Sequence, residues 1–249
     1  MSIESTAETI QRAVEWLRGA RSVTVLTGAG VSAESGLPTF RDAMTGLWAK
    51  YRPEDLATPA AFDRNPALVW QWYAWRRELV ARSSPNPGHF ALAEMARKIP
   101  AMTLLTQNVD GYHQLAGNED VVELHGNIMR SKCLREHRVI DATGLVGEPP
   151  RCPACNSYLR PDVVWFGESL PRVALQRASA AAENCDVFLS IGTSGRVEPA
   201  ASLMHIAADH GARTIAINID GLENAPSGCL QVVAKSGDAL PLIVCGLSE

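Results

Sequence analysis

Ser22-Val-Thr-Val-Leu-Thr-Gly28-Ala-Gly30-Val-Ser-Ala33 is the stretch that decides the fold. Residues 22–26 are largely β-branched and run straight into a glycine turn, where Ala33 completes a Gly-x-Gly-x-x-Ala pattern. A strand that ends in glycines and continues into a helix is the entry to nucleotide-binding α/β sheets. Without side chains in the way, N–H groups at the helix start can approach a pyrophosphate. Taken alone, the pattern also describes a tight strand-to-helix turn with no ligand. The residues that follow depart from an ordinary dehydrogenase: Ser35-Gly-Leu-Pro38-Thr-Phe40-Arg41 reads as a loop, where a crossover helix and a second strand ending in Asp or Glu are required.

Outward from this turn, short apolar runs recur at 102–105, 121–124, 163–166, 187–191, 214–219 and 230–233, most of them separated by helix-like segments. Alternation of this kind predicts an α/β fold with a Rossmann-like, mainly parallel, doubly wound sheet. Upstream, Ile10, Ala13, Val14 and Leu17 fall at helical spacing and predict an amphipathic helix ending near Gly19. Two stretches break the rhythm. Residues 41–87 hold most of the tryptophans and a helix start at Asn65-Pro66, where Asn caps and Pro suits the first turn. Residues 127–160 hold Cys133, Cys152 and Cys155 and a Gly/Pro-rich connection at 144–150. The predicted division is a large domain from 1–40, 88–126 and 161–249, and a small domain from a helical module at 41–87 and a cysteine module at 127–160.

Composition narrows the function. The 249 residues are 46% hydrophobic, enough for one good-sized core with a subdomain. A formal net charge of -4 supplies no broad cationic surface, which argues against nucleic acid as a direct ligand. No uninterrupted apolar stretch is long enough for a signal peptide or a bilayer span, so a cytoplasmic protein without membrane association is expected. In that setting the six cysteines read as metal ligands or reduced thiols, with Cys185, Cys229 and Cys245 expected to be largely buried.

The segment from Gly28 to Arg41 resembles the first signature of the sirtuin family almost residue for residue. Further signatures follow in family order: Thr106-Gln-Asn-Val-Asp-Gly111 with His113, Glu123-Leu-His-Gly126, Arg160-Pro-Asp-Val-Val-Trp-Phe-Gly-Glu168, Gly192-Thr-Ser194 with Val197 and Pro199-Ala200, and Asn218. Five ordered blocks over nearly the whole chain are far more specific than any one motif. The resemblance implies a cleft between the two domains that takes NAD and an acyl-lysine peptide. It also implies a chemistry in which NAD is consumed. The acyl oxygen attacks the nicotinamide ribose as nicotinamide departs, a ribose hydroxyl deprotonated through a histidine attacks in turn, and lysine and O-acyl-ADP-ribose are released.

On this resemblance His125 is the base, with Asn108 and Asp110 orienting the nicotinamide end. Asn-Val-Asp-Gly is also good turn chemistry, and the two roles are compatible. Gly28, Ala29, Gly30, Ser32, Glu34, Arg41 and Gln107 match positions that face the cofactor, with Phe40 shielding the reactive ribose carbon from water. Gly192, Thr193, Ser194 and Asn218 match the adenosine end, and Ser236 is either an adenine contact or an ordinary loop residue. Val163, Val164, Trp165 and Phe166 match the strand beside the bound peptide. His89, His205 and His210 read as ordinary residues.

Tyr73 and Arg76 are three apart and share a helix face. They resemble the pair with which the desuccinylase and demalonylase subclass holds an acyl carboxylate, and Ala57 matches that subclass's small residue. An aromatic core helix with a solvated arginine is the plainer reading of the same spacing, and deacetylation stays open. The cysteine module departs from the family, since only Cys152-Pro-Ala-Cys155 is an intact pair and the first half reads Cys133-Leu-Arg-Glu136-His137. A structural zinc held by three cysteines, with His137 or less well Glu136 as fourth ligand, is expected; a module packed without metal is the alternative. The expected protein is a monomeric NAD-dependent deacylase of acyl-lysine proteins. Mono-ADP-ribosyl transfer, a non-catalytic NAD or ADP-ribose-binding module and, third, an oxidoreductase are the rivals.

Overall fold

The computed structural model describes residues 5–38 and 50–248. Six strands form one parallel sheet: β1 (Ser22–Thr27), β2 (Ala101–Thr106), β3 (Val121–Glu123), β7 (Val187–Ile191), β8 (Arg213–Asn218) and β9 (Leu230–Val233). Their order across the sheet is β3-β2-β1-β7-β8-β9, with β1 paired in register to β2 on one side and β7 on the other. All five residues of β7 are buried, as expected of a central strand covered on both faces.

Helices cover both faces. On one, Leu17 of α1 (Thr6–Arg18), Leu92 of α5 (Pro87–Lys98) and Ile243 of α9 (Ser236–Gly246) pack on Val25, Leu189 and Ile217. On the other, Ala178 of α7 (Arg172–Glu183) and Met204 of α8 (Leu203–Asp209) pack on Leu105, Phe188 and Ala216. Alternate residues of one strand therefore feed two cores, and the doubly wound architecture read from the sequence holds. α1 starts at Ser5, whose hydroxyl accepts from the Glu8 N–H while Glu8 returns a bond to the Ser5 N–H, and it ends at Gly19.

A second, antiparallel sheet of order β5-β4-β6 comprises β4 (Gly126–Cys133), β5 (Val139–Ile140) and β6 (Leu159–Val163). The apolar run at 163–166, counted from sequence among the strands of the main sheet, belongs here instead. β6 ends at Val163, and the residues beyond it bond outward, Val164 N–H to the His125 carbonyl and Phe166 N–H to that of Ala57, both at 2.9 Å. Four apolar residues suggest a strand but do not say which sheet it joins, and here only Val163 and Trp165 of the four are buried.

Two helices lean on this small sheet: α3 (Pro59–Arg64) and α4 (Pro66–Arg82), the latter capped by Asn65 as its Asn-Pro start predicts. α4 is buried on two sides. Trp72 and Tyr73 join Leu56, Phe62, Ile128 and Trp165 in one cluster, while Trp70 packs on Cys133, Cys152 and Leu159 in another. Cys185 is buried and Cys229 half-buried, but Cys245, expected inside, is exposed on the outer side of α9. Among the described residues no helix is long and apolar enough to cross a membrane.

Candidate active site

β1 ends at the centre of the sheet, so the turn after it opens at the carboxyl edge where neighbouring connections diverge. The short helix α2 (Ala29–Ala33) starts there. The glycines are required by a neighbouring loop as much as by any ligand. A Cβ on Gly30 would stand 2.8 Å from the Gly192 Cα, and one on Gly192, whose φ is +61, would stand 2.5 Å from the Val31 nitrogen. The Gly28 N–H donates to the Ile191 carbonyl at 3.0 Å and the Gly30 N–H to the Gly192 carbonyl at 2.8 Å. Two of the N–H groups that the sequence offered to a pyrophosphate thus hold the β1 and β7 turns together.

From this junction a cavity of about 820 Å³ runs between the two sheets. One end is walled by Gly28, Ala29, Gly30, Gly192, Thr193, Ser194 and Asn218, with the Asn218 amide donating to the Thr193 carbonyl at 2.8 Å. In the middle stand Ser32, Gln107, Asn108, Asp110 and His125. Ala57, Tyr73, Arg76, Val163, Val164, Trp165 and Phe166 line the far part. Residues as far apart in the chain as Gly28 and Asn224 meet in this one space.

The middle group is wired together. The Asn108 amide nitrogen donates to the Gly28 carbonyl at 3.0 Å and to Ser32 Oγ at 3.1 Å. Ser32 in turn donates to Asp110 Oδ2 at 2.8 Å, and Asp110 Oδ1 accepts from the Tyr112 N–H at 2.9 Å, a bond made by the turn that the Asn-Val-Asp-Gly sequence favours. Burial raises the Asp110 pKa, against these bonds and the nearby Arg76 charge, which lower it.

His125 follows β3 and precedes β4, on the crossing between the two sheets. Its Nδ1 lies 3.0 Å from the Gln107 carbonyl. A carbonyl can only accept, so Nδ1 carries the hydrogen and Nε2 keeps its lone pair. Burial lowers the His125 pKa, partly countered by the Gln107 bond, so the ring is neutral near pH 7. This is the tautomer and charge of a general base.

At the far end Tyr73 and Arg76 both face the cavity from α4. Burial lifts the Tyr73 pKa to about 12 and lowers that of Arg76, with Tyr73 and Asp110 countering the latter. The Arg76 guanidinium stands 5.2 Å from the Trp72 ring centroid. Arg76 thus lines the pocket wall beside Trp72 and Tyr73, which sit in the aromatic core of the plainer reading.

Some anticipated residues lie elsewhere. Glu34 and Ser236 are outside the cavity wall and bond to each other, Ser236 Oγ donating to Glu34 Oε1 at 2.6 Å while the Gly237 N–H donates to the same oxygen at 3.0 Å. Glu34 thereby fastens the N-terminus of α9 to α2. Phe40 and Arg41 lie outside the described residues. His113 is buried behind the site, its Nε2 2.8 Å from Thr27 Oγ1, and its ring is 4.9 Å from that of His89. Burial holds these two histidines neutral, at about 3 for His113 and about 4 for His89. His89 had been read as ordinary; no local pattern distinguishes a histidine that meets another 24 positions away.

In the cysteine module, Cys133, Cys152 and Cys155 bring their sulfurs within 4.8 Å of one another. The S···S edge of a tetrahedral zinc thiolate site, from a Zn–S bond of about 2.3 Å, is about 3.8 Å, so the three thiols fit a zinc ion. His137 does not join them: it is exposed, at φ 54, and outside the group of convergent ligand atoms. Glu136 lies 3.4 Å from Arg138 in an ion pair. Ser157 Oγ stands beside the sulfurs, 3.2 Å from Cys133 and 3.0 Å from Cys155. The chain bends back at 133–138, with the His137 N–H donating to the Cys133 carbonyl, which turns that side chain outward.

The sheet order, the glycine junction at its carboxyl edge and the cleft against a smaller antiparallel sheet define a Rossmann-like nucleotide-cleft protein. Residues 28–199 match the model of the Sir2 family, and the chain belongs to that family. An NAD-dependent protein deacylase of Ralstonia nicotianae is 51% identical over 241 residues, spanning 96% of this chain and 98% of its own. NAD-dependent protein deacylase 1 of Pseudomonas aeruginosa is 48% identical over 237 residues, 92% and 95% of the two chains. Among solved structures, a Sir2 homologue in complex with NAD superposes with a TM-score of 0.88 at 41% identity, covering 96% of this chain and 93% of that one. A Sir2 protein bound to a myristoylated histone peptide does so with a TM-score of 0.79 at 35% identity, covering 97% of each.

Proposed function

We propose that this chain is an NAD-dependent protein lysine deacylase that removes succinyl and malonyl groups, with acetyl as a further substrate. The observation that carries the reading is that one cavity joins a neutral, oriented His125, the Asn108–Ser32–Asp110 network and the Tyr73/Arg76 pair. Family membership and the named deacylases of similar length support the general activity.

The cavity, at about 820 Å³, is of the size that cofactor-binding clefts have. Its Gly28, Ala29, Gly30, Gly192, Thr193, Ser194 and Asn218 end would take the adenosine and phosphates, and Gln107, Asn108 and Asp110 the nicotinamide half. NAD, when bound, supplies the ribose carbon that the otherwise unreactive amide oxygen can attack. His125 Nε2 would accept the proton of a ribose hydroxyl, held on line by the Gln107 carbonyl. Residues 163–166 would lie beside the peptide backbone, reading shape more than sequence. Arg76 and the Tyr73 hydroxyl would hold an acyl carboxylate over the space that Ala57 leaves open.

The same reading includes a structural zinc on Cys133, Cys152 and Cys155, and the division into 1–40, 88–126 and 161–249 against 41–87 and 127–160. It also includes a monomeric enzyme acting on acyl-lysine proteins in the cytoplasm. The test is mass spectrometry of acetyl-lysine and succinyl-lysine peptides of one sequence, each with enzyme and NAD, beside His125→Ala and Arg76→Met. NAD-dependent loss of succinyl that requires both residues is expected. Unchanged peptides under every NAD condition would overturn deacylation, and succinyl loss indifferent to Arg76→Met would overturn the acyl preference.

A further inference from the structure

Tyr73 is 4% exposed, and its oxygen lies 3.0 Å from Trp165 Nε1. An indole N–H can only donate, so the phenol oxygen is the acceptor and its own hydrogen must point away from Trp165. Among the described residues no hydrogen bond takes that hydrogen, and the side chain lines the cavity one turn before Arg76. The phenol hydrogen is therefore available as a donor to whatever occupies the far end of the cavity.

Trp165 is fixed in place. It is 2% exposed, with the Phe62 ring centroid at 5.3 Å and the Arg160 guanidinium 3.3 Å from its own ring centroid. Its backbone N–H donates to Glu168 Oε2 at 2.8 Å, and the same carboxylate receives two bonds from Arg160. A cation against the indole face draws density from the ring and strengthens its N–H as a donor. With a pKa near 12, Tyr73 keeps the hydrogen it is to donate.

We propose that Trp165 is a specificity-determining positioning residue: by occupying the Tyr73 oxygen with its indole N–H, it commits the phenol hydrogen to the carboxylate of an acidic acyl group. A neutral acetyl group has no distal carboxylate to receive that hydrogen, so Trp165 tunes the preference between acyl classes through Tyr73. The assignment rests on the acyl-carboxylate reading of Tyr73 and Arg76.

The test compares the ratio of kcat/KM for a succinyl-lysine peptide to that for the acetyl-lysine peptide of the same sequence. The proteins are wild type, Trp165→Phe, Tyr73→Phe, the double variant and Arg76→Met. Trp165→Phe keeps an aromatic ring and removes the N–H. The expected result is a fall of about tenfold in the ratio, mainly through KM for the succinyl peptide, the size of one hydrogen bond to a charged group. The double variant is expected to fall no further than Tyr73→Phe alone.

The proposal is overturned if Arg76→Met lowers the ratio while Trp165→Phe leaves it within about twofold. A Trp165 effect of equal size in the Tyr73→Phe background also overturns it, since the residue then acts without the hydroxyl. If neither Arg76→Met nor Tyr73→Phe moves the ratio, the acyl-carboxylate reading itself is what failed, and the assignment falls with it. Should Trp165→Phe not fold, benzothienylalanine placed at position 165, which keeps the bicyclic shape with a sulfur in place of the N–H, gives the same comparison.

Discussion

Glu168→Gln removes one charge from the pair of buried Arg160 and half-buried Glu168 that underlies the Tyr73 and Trp165 end of the cavity. Arg160 is 2% exposed, and its guanidinium donates to both Glu168 oxygens, at 2.5 and 2.8 Å, and to the Val163 carbonyl at 2.9 Å. Substitution of one partner leaves a guanidinium buried with a neutral amide that can accept only one of the two bonds. Removal of one partner from such a pair costs about 3–5 kcal/mol. At about 2–4 °C per kcal/mol for a chain of this size, the melting temperature is expected to fall by roughly 6–20 °C.

The pH dependence identifies the cause. Burial raises the Glu168 pKa, but the bonds from Arg160 and the Trp165 N–H outweigh it, and the net value lies below the ordinary 4.5. A carboxylate depressed in the folded state contributes stability that is present above its unfolded pKa and lost as pH falls through the lower folded value. The gap between wild type and Glu168→Gln, followed by calorimetry, should therefore be full at pH 7 and close as the pH drops below about 4. A shift under about 2 °C at pH 7, or a gap that does not change with pH, would refute the argument that the charge pair holds this segment.

Burial keeps the His125 pKa below 6.5, so the acid limb of kcat/KM against pH should have its midpoint below that value; a midpoint at or above it would mean that another group limits the base step. Gly192→Ala forces a side chain against the Val31 nitrogen at 2.5 Å and into a left-handed backbone that alone costs about 1–2 kcal/mol, so chemical denaturation should register at least about 2 kcal/mol of destabilisation. Purified protein should carry about one zinc per chain by elemental analysis. Cys152→Ser should lower that content and the melting temperature together, and a wild-type protein without metal would sink the zinc assignment.

The ordered motifs make most of the cavity wall legible, because each backbone turn at the carboxyl edge has a local sequence requirement: glycines where β1 meets β7, Asn-Val-Asp-Gly after β2, histidine after β3. The spacing of Tyr73 and Arg76 was equally readable, since a helix puts residues three apart on one face whatever surrounds it. Where a partner lies far along the chain, pattern is silent. The 163–166 run reads as a strand of the main sheet because apolarity alone does not name a partner, whereas hydrogen-bond pairing decides that β6 joins β4.

Sequence by itself determined the family and the doubly wound sheet, and it singled out His125 as the candidate base, all from short contiguous stretches whose chemistry is local. Tertiary structure alone decided which groups those residues meet. It turned Glu34 and Ser236 toward each other, set His137 outside the thiol cluster and Ser157 beside it, buried His89 against His113, and aimed the Trp165 N–H at Tyr73. The physical reason is that a side chain's type fixes what it can donate or accept, while the packing of separate elements fixes which partner stands within 3 Å.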